Sequence, residues 1–349
     1  MKKNIRRIIS LFAVSLCLLT SCGVAKNDGS GSSLKADSQR LNISQADLIA
    51  QITDNEKYLN PNLLYDVKGL DDSDKIGVIV TLDSDGVADS YFTNSRGYKS
   101  VGDYALSGAG AEEADAMIRN QKALADFLLK KGLIEEINHS YTTLFNGFSA
   151  QTTYGQYKQL LKLNLAEKIS ISEVYAAPQS VSTGQTAVEN VVDVYETGIF
   201  NSSNVDYDGE NTAVAILDSG FDVHHTVFQT MPQNPMITKS DVREVLSQTK
   251  ASTFTSGLKA EDVYVNTKIP YAYDYADKDS DVTPFDSEHG THVAGIIGGS
   301  DDTITGVAVN TQLVLLKVFG DLVSGAKTED ILAALEDAVV LKVDAINMS

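Results

Sequence analysis

The hydrophobic period changes several times along this chain, and each change predicts an element. Ile76 to Leu82 is a short, mostly apolar run and reads as a strand. Ala111 to Lys131 has the spacing of an amphipathic helix, with Met117, Ile118, Leu124, Phe127 and Leu128 as its apolar side and Gly132 as its stop. Ile134 to Tyr141 and Gly147 to Thr152 read as strands, Tyr154 to Leu163 as a second helix, and Ile169 to Tyr175 as the closing strand. The order β-α-β-β-α-β is that of a ferredoxin-like domain.

Further along, the pattern becomes that of a buried parallel sheet. Ala213 to Leu217 is an unbroken apolar run ended by Asp218-Ser219-Gly220, as expected of a strand covered on both faces. His289 to Gly299 reads as a helix whose small residues, Ala294, Gly295, Gly298 and Gly299, let it lie close to a sheet. Gln312 to Phe319 is a second buried strand, and Val343 to Met348 a third. Between them Thr328 can cap a helix with apolar positions Ile331, Leu332, Leu335, Ala338 and Val339. The alternation predicts a doubly wound parallel sheet. A long spacer, residues 229–283, carries a predicted helix over Asp241 to Gln248 and short strands over Val263 to Val265 and Ile269 to Tyr273. The fold class is therefore α/β: a ferredoxin-like domain followed by the N-terminal half of a doubly wound parallel sheet.

The start of the chain has a different character. Lys2, Lys3, Arg6 and Arg7 precede a short apolar run, Ile8 to Leu19, the layout of an export signal. Leu19-Thr20-Ser21-Cys22 resembles a bacterial lipobox, which implies cleavage before Cys22 and lipidation of its thiol. The expected organisation is a lipoprotein signal peptide (1–21), a tether and N-terminal segment (22–74), the ferredoxin-like domain (75–177), a polar junction with a helix over Val188 to Tyr195 (178–209), and the sheet domain (210–349). The product is an extracytoplasmic, membrane-anchored lipoprotein, open to release if the junction is cut. Cys17 and Cys22 are the two cysteines, so no disulfide framework is expected. The formal charge of −19 argues against nucleic acid as a partner.

Asp218 and His289 carry the candidate chemistry. A carboxylate at the carboxyl end of a parallel strand stands where open α/β sheets place working residues. A histidine opening a helix sits where the dipole disfavours its protonated form, which suits a general base. Acid first and histidine second is the chain order of one kind of Asp-His-Ser triad. Other groups carry blander readings. His139 reads as a strand histidine, His224 and His225 as members of a solvated loop near the site, and His292 as a packed member of the helix. Asp277, Asp279, Asp281 and Glu288 stand at calcium-loop spacing, but Val282 and Pro284 interrupt it, so a structural calcium site lacks support and an acidic surface loop is expected. His289 and His292 share a helical face but lack the glutamate of a zinc-peptidase helix.

Asp218-Ser219-Gly220 and His289-Gly290-Thr291-His292-Val293-Ala294-Gly295 resemble the aspartate and histidine signatures of the subtilisin-like serine peptidases, or subtilases. Tyr271-Ala272-Tyr273-Asp274-Tyr275-Ala276-Asp277 is most similar to the cell-envelope lactocepin and C5a-peptidase group, and Asp344 to Ser349 resembles the family's next strand. Leu144-Phe145-Asn146-Gly147-Phe148-Ser149-Ala150 resembles the inhibitor I9-type prodomain. The resemblance implies a serine endopeptidase acting on protein or peptide substrates, with Asp218 and His289 in its triad and no cofactor in the chemistry. It implies a prodomain that caps the cleft as an intramolecular inhibitor, its C-terminal segment in the substrate groove. The family's Gly-Thr-Ser-Met-Ala motif and oxyanion asparagine are absent from residues 1–349, so these residues read as an inactive N-terminal fragment. The alternative is a non-catalytic surface lipoprotein whose first domain binds or inhibits a peptidase.

Overall fold

The computed structural model describes residues 69–94, 97–177, 207–321 and 325–349, all within one compact unit, Leu64–Ser349. The expected signal peptide, Cys22, nearly all of the tether, the helix over Val188 to Tyr195 and any processing point beyond residue 177 lie outside the described residues.

The first sheet holds β1 (Lys75–Thr81), β2 (Glu136–Tyr141), β3 (Gly147–Thr153) and β4 (Lys168–Ile171). Its order is β2-β3-β1-β4, with every neighbouring pair antiparallel. Its helices are α1 (Val87–Asn94), α2 (Val101–Ala105), α3 (Gly108–Lys130) and α4 (Tyr154–Leu163). Ile76, Val78, Val80, Phe148 and Ala150 meet Leu128 of α3 and Leu160 of α4, as the period of two in β1 requires.

Two features of this half depart from the periodicity. The short α1 and α2 fall where no helix is predicted. The buried side of α3 is Met117, Gln121, Ala125 and Leu128, whereas Ile118 and Phe127 are exposed. The stripe runs through a polar residue because Gln121 Nε2 donates to Tyr141 O and Asn146 Oδ1, both at 2.8 Å. A satisfied amide is compatible with burial, so apolarity alone misplaces the face.

The two-residue β5 (Val174–Tyr175) follows, and then the parallel sheet: β6 (Ala213–Asp218), β7 (Tyr271–Asp274), β8 (Gln312–Lys317) and β10 (Ala345–Met348), in the order β10-β6-β8-β7. Its helices are α5 (Lys239–Val245), α6 (Lys250–Phe254), α7 (Ala260–Val263), α8 (His289–Gly298) and α9 (Thr328–Val340). Ile216, Ala272, Leu313 and Leu315 face Ala294 of α8. Ala215, Leu217, Val314, Leu316, Tyr271 and Tyr273 face the α9 side. The strand expected over Val263 to Val265 does not form: Val263 ends α7, where Asp262 Oδ2 accepts from Lys259 N at 2.8 Å and closes a helical turn, and Tyr264 and Val265 follow without regular structure. Thr328 is the first residue of α9 rather than its cap, and its hydroxyl accepts from Glu173 N at 3.1 Å.

Helix α9 joins the two sheets. It is buried nearly all round and brings in four acids, Glu329, Asp330, Glu336 and Asp337. Asn138 Nδ2 donates to both Glu329 carboxylate oxygens at 3.1 and 3.0 Å, and His139 Nε2 lies 2.9 Å from Asp330 Oδ1. The Glu336 carboxylate accepts from the backbone N–H groups of Thr142, Thr143 and Leu144 and pairs with Lys250 Nζ at 2.8 Å. Tyr141, from β2, enters the α9-side core and donates from its hydroxyl to Glu329 O at 2.8 Å. Val174 and Tyr175 of β5 pair antiparallel with β9 (Ala326–Lys327), just ahead of α9.

Asp337 is fully buried. It accepts from Lys250 N at 2.6 Å, Ala251 N at 3.0 Å and the Tyr275 hydroxyl at 2.7 Å. Burial pushes its carboxyl up to about 6, outweighing those donors. A raised carboxyl pKa means the folded chain holds this proton more tightly than the unfolded chain does. The contribution is therefore full below the unfolded value near 4 and is lost as pH rises through about 6. Urea unfolding of wild type and Asp337→Asn at pH 4 and pH 7 should show the difference moving about 2 kcal/mol in favour of the variant at the higher pH. A pH-independent difference would contradict this account.

Candidate active site

Asp218 closes β6, the strand between β10 and β8, and its side chain is fully buried. Its Oδ1 accepts from Ser219 N at 2.6 Å. His289 opens α8 beside it, and His289 Nδ1 lies 3.0 Å from both Asp218 oxygens. The histidine side chain keeps 29% of its surface exposed. The acid is thus shut away from water while the imidazole faces it from one side. A carboxylate bonded to Nδ1 fixes the tautomer with its proton there, leaving Nε2 with a lone pair.

The two motif loops are bound to each other at several points. Asp222 N donates to Thr291 Oγ1 at 2.9 Å, Ser219 Oγ to Ser287 O at 3.1 Å, and Phe221 N to Val282 O at 2.7 Å. Gly290 is where they come closest: a Cβ there would lie 2.4 Å from Gly220 O and 3.0 Å from Asp218 Cβ. Gly220 itself has φ of 139°, a backbone region that L side chains rarely adopt.

The remaining histidines are dispersed. His139 is buried on β2 against Asp330. His224 and His225 are exposed, and His225 Nδ1 accepts from Val227 N at 3.3 Å to start a short 3-10 turn. His292, expected to be packed, is exposed on α8, because the buried positions of that helix are Gly290, Thr291, Ala294, Gly295 and Gly298.

Two groups among the described residues have side chains close enough to share a metal ion: His139, Glu329 and Asp330, and Asp274, Asp277 and Asp321. Neither is the Asp277, Asp279, Asp281 and Glu288 set of the sequence pattern. Asp279 Oδ1 instead accepts from Asp281 N, and Asp281 Oδ1 from Thr283 N, as in a self-bonded surface loop. In the first group the His139 and Glu329 side chains are engaged as described above. In the second, the Lys317 ammonium stands between the carboxylates, 2.9 Å from Asp274 Oδ2 and 2.5 Å from Asp321 Oδ1. Sequence reasoning passed over Lys317. The available signal was a lysine near the end of the apolar run Leu313 to Val318, with an aspartate four residues on.

In this parallel α/β sheet a strand-end carboxylate orients a helix-start imidazole, an arrangement able to take a proton at Nε2. Residues 209–349 match the subtilase family. The PI-type proteinase of Lactococcus lactis subsp. cremoris is 28% identical over 263 residues, covering 71% of this chain and 12% of that protein. A C5a peptidase of Streptococcus pyogenes serotype M3 is 33% identical over 150 residues, covering 40% and 12%. The chain thus spans about an eighth (12%) of the length of these curated relatives. Among solved structures, a mutant of the epidermin leader peptide processing serine protease of Staphylococcus aureus shares 14% identity at a TM-score of 0.44, over 79% of this chain and 50% of that one.

Gly290→Ala tests the contact between the motif loops. A better helix former gains under about 1 kcal/mol, whereas a methyl group 2.4 Å from a backbone oxygen forces the loops apart. A net loss of about 1–3 kcal/mol is expected in chemical denaturation. A stabilised variant would show that the loops are not locked together here.

Proposed function

We propose that this chain is the N-terminal part of a secreted serine endopeptidase that hydrolyses peptide bonds in protein or peptide substrates. The observation that carries the reading is the buried Asp218 carboxylate 3.0 Å from His289 Nδ1. In this reading His289 Nε2 takes the proton of a serine hydroxyl as the oxygen attacks the peptide carbonyl, then passes it to the leaving amine. Asp218 holds the tautomer and stabilises the imidazolium that forms. The serine and an oxyanion donor come from chain outside residues 1–349, and these residues alone are expected to be inactive. The match of residues 209–349 to the subtilase family supports the reading.

The first sheet with its helices is, on this proposal, an inhibitor I9-type prodomain. Its support is twofold. The module packs its open sheet face on α9, and its exit strand β5 pairs antiparallel with β9 in a two-stranded sheet of their own, the main-chain pairing an extended peptide would use. Cys22 is proposed as the lipid attachment point, which makes the product an extracytoplasmic, membrane-anchored lipoprotein. Nothing in this chemistry calls for a cofactor.

In the full-length protein, His289→Ala and Asp218→Asn should each lower kcat/KM on a peptide substrate by roughly 10⁴-fold. Activity within tenfold of wild type in either variant would remove the pair from the mechanism.

A further inference from the structure

Lys317 is the last residue of β8 and stands in register with Asp218 on one side and Asp274 on the other. In a parallel sheet, residues in register project to the same face. The strand ends beside His289 therefore carry a row of acid, base and acid. Lys317 is 1% exposed, so its ammonium is held by its neighbours rather than by water.

Those neighbours form a closed ring. Lys317 Nζ pairs with Asp274 Oδ2 at 2.9 Å and with Asp321 Oδ1 at 2.5 Å. Asp321 N donates to Asp277 Oδ2 at 2.6 Å. Asp277 N in turn donates to Asp274 Oδ1 at 3.0 Å. Burial opposes the charge on Lys317, but the bonds to Asp321 and Asp274 outweigh it and hold the lysine above its ordinary value. The main chain is fixed at the same place: Val318 N donates to Asp218 O at 3.1 Å, and Tyr275 N to Lys317 O at 2.8 Å. The ring therefore ties the end of β7, the end of β8 and the turn at Asp321 to the strand end that carries Asp218.

In sequence, β9, the edge on which β5 lies, begins five residues after Asp321. Given the peptidase reading above, on which this inference rests, a substrate takes the place of β5 and must be held in register with Asp218 and His289. We infer that Lys317 is a positioning residue that serves as the internal cation of the Asp274, Asp277 and Asp321 cluster and sets where the peptide-binding edge stands relative to the catalytic pair. It touches neither substrate nor the reacting atoms. A fixed lysine does here what a bound cation does for an acidic loop, without depending on an ion supply. Removing it leaves the three carboxylates of Asp274, Asp277 and Asp321 together with no counter-charge.

The test is steady-state kinetics of the full-length protein on a peptide substrate. Lys317→Met should raise KM about tenfold while kcat falls less than threefold, the pattern of lost ground-state alignment. Lys317→Arg keeps the charge and should restore KM to within about threefold of wild type. Asp321→Asn, which leaves Lys317 its bond to Asp274, should raise KM about threefold and supplies the test if Lys317→Met does not fold. Overturning results are KM within twofold of wild type in both Lys317→Met and Asp321→Asn, in Asp321→Asn alone if Lys317→Met does not fold, or a loss confined to kcat. An active Asp218→Asn enzyme would instead defeat the peptidase reading itself, whatever the Lys317 variants do.

Discussion

A carboxylate taken out of water must be met by donors. The four residues Asp218, Asp274, Glu336 and Asp337 are all fully buried, and much of the architecture follows from how each is met. Asp218 takes a backbone N–H and an imidazole. Asp274 takes backbone N–H groups and a lysine. Asp337 takes the first N–H groups of α6 and a tyrosine hydroxyl. Glu336 needs three backbone N–H groups that its own sheet does not have, and they come from the turn between β2 and β3. The demand of this buried side chain on α9 thus joins the other contacts that hold the antiparallel sheet against the parallel one.

The same requirement sorts structural acids from the acid at the candidate site. Asp337 is enclosed by groups that all donate to it and none that can leave. Asp218 shares its charge with a side chain that is partly exposed, so its partner has a second nitrogen free to meet something else. That asymmetry, and not burial as such, distinguishes a carboxylate that orients a partly exposed imidazole from one that only holds helices in place.

Much of this was legible in the sequence where a feature is local. The run Ala213 to Leu217 ended by Asp218, and the small residues behind His289, each describe a strand end and a helix start without reference to distant residues. The β-α-β-β-α-β order was readable for the same reason. What was hidden depends on contacts far along the chain. Gln121 is buried only because Tyr141 O and the Asn146 side chain accept from it. The acids of α9 look like a solvent face until the first module supplies their donors, and His292 looks packed until the helix is seen to turn it outward. The ring through Lys317 joins residues up to 47 positions apart, and no period of two or 3.6 residues reports such closure.

The two-residue pairing of β5 with β9 has a further consequence. Because β5 belongs to the same chain as the edge it occupies, it contends for that edge as an intramolecular partner. A dissolved peptide, on the proposed function, has to compete with that tethered strand. Entry to the edge is thus governed first by the continuity of the backbone that holds β5 beside it, and only afterwards by chemical preference. One severed bond upstream of the edge changes the first condition and leaves the second untouched.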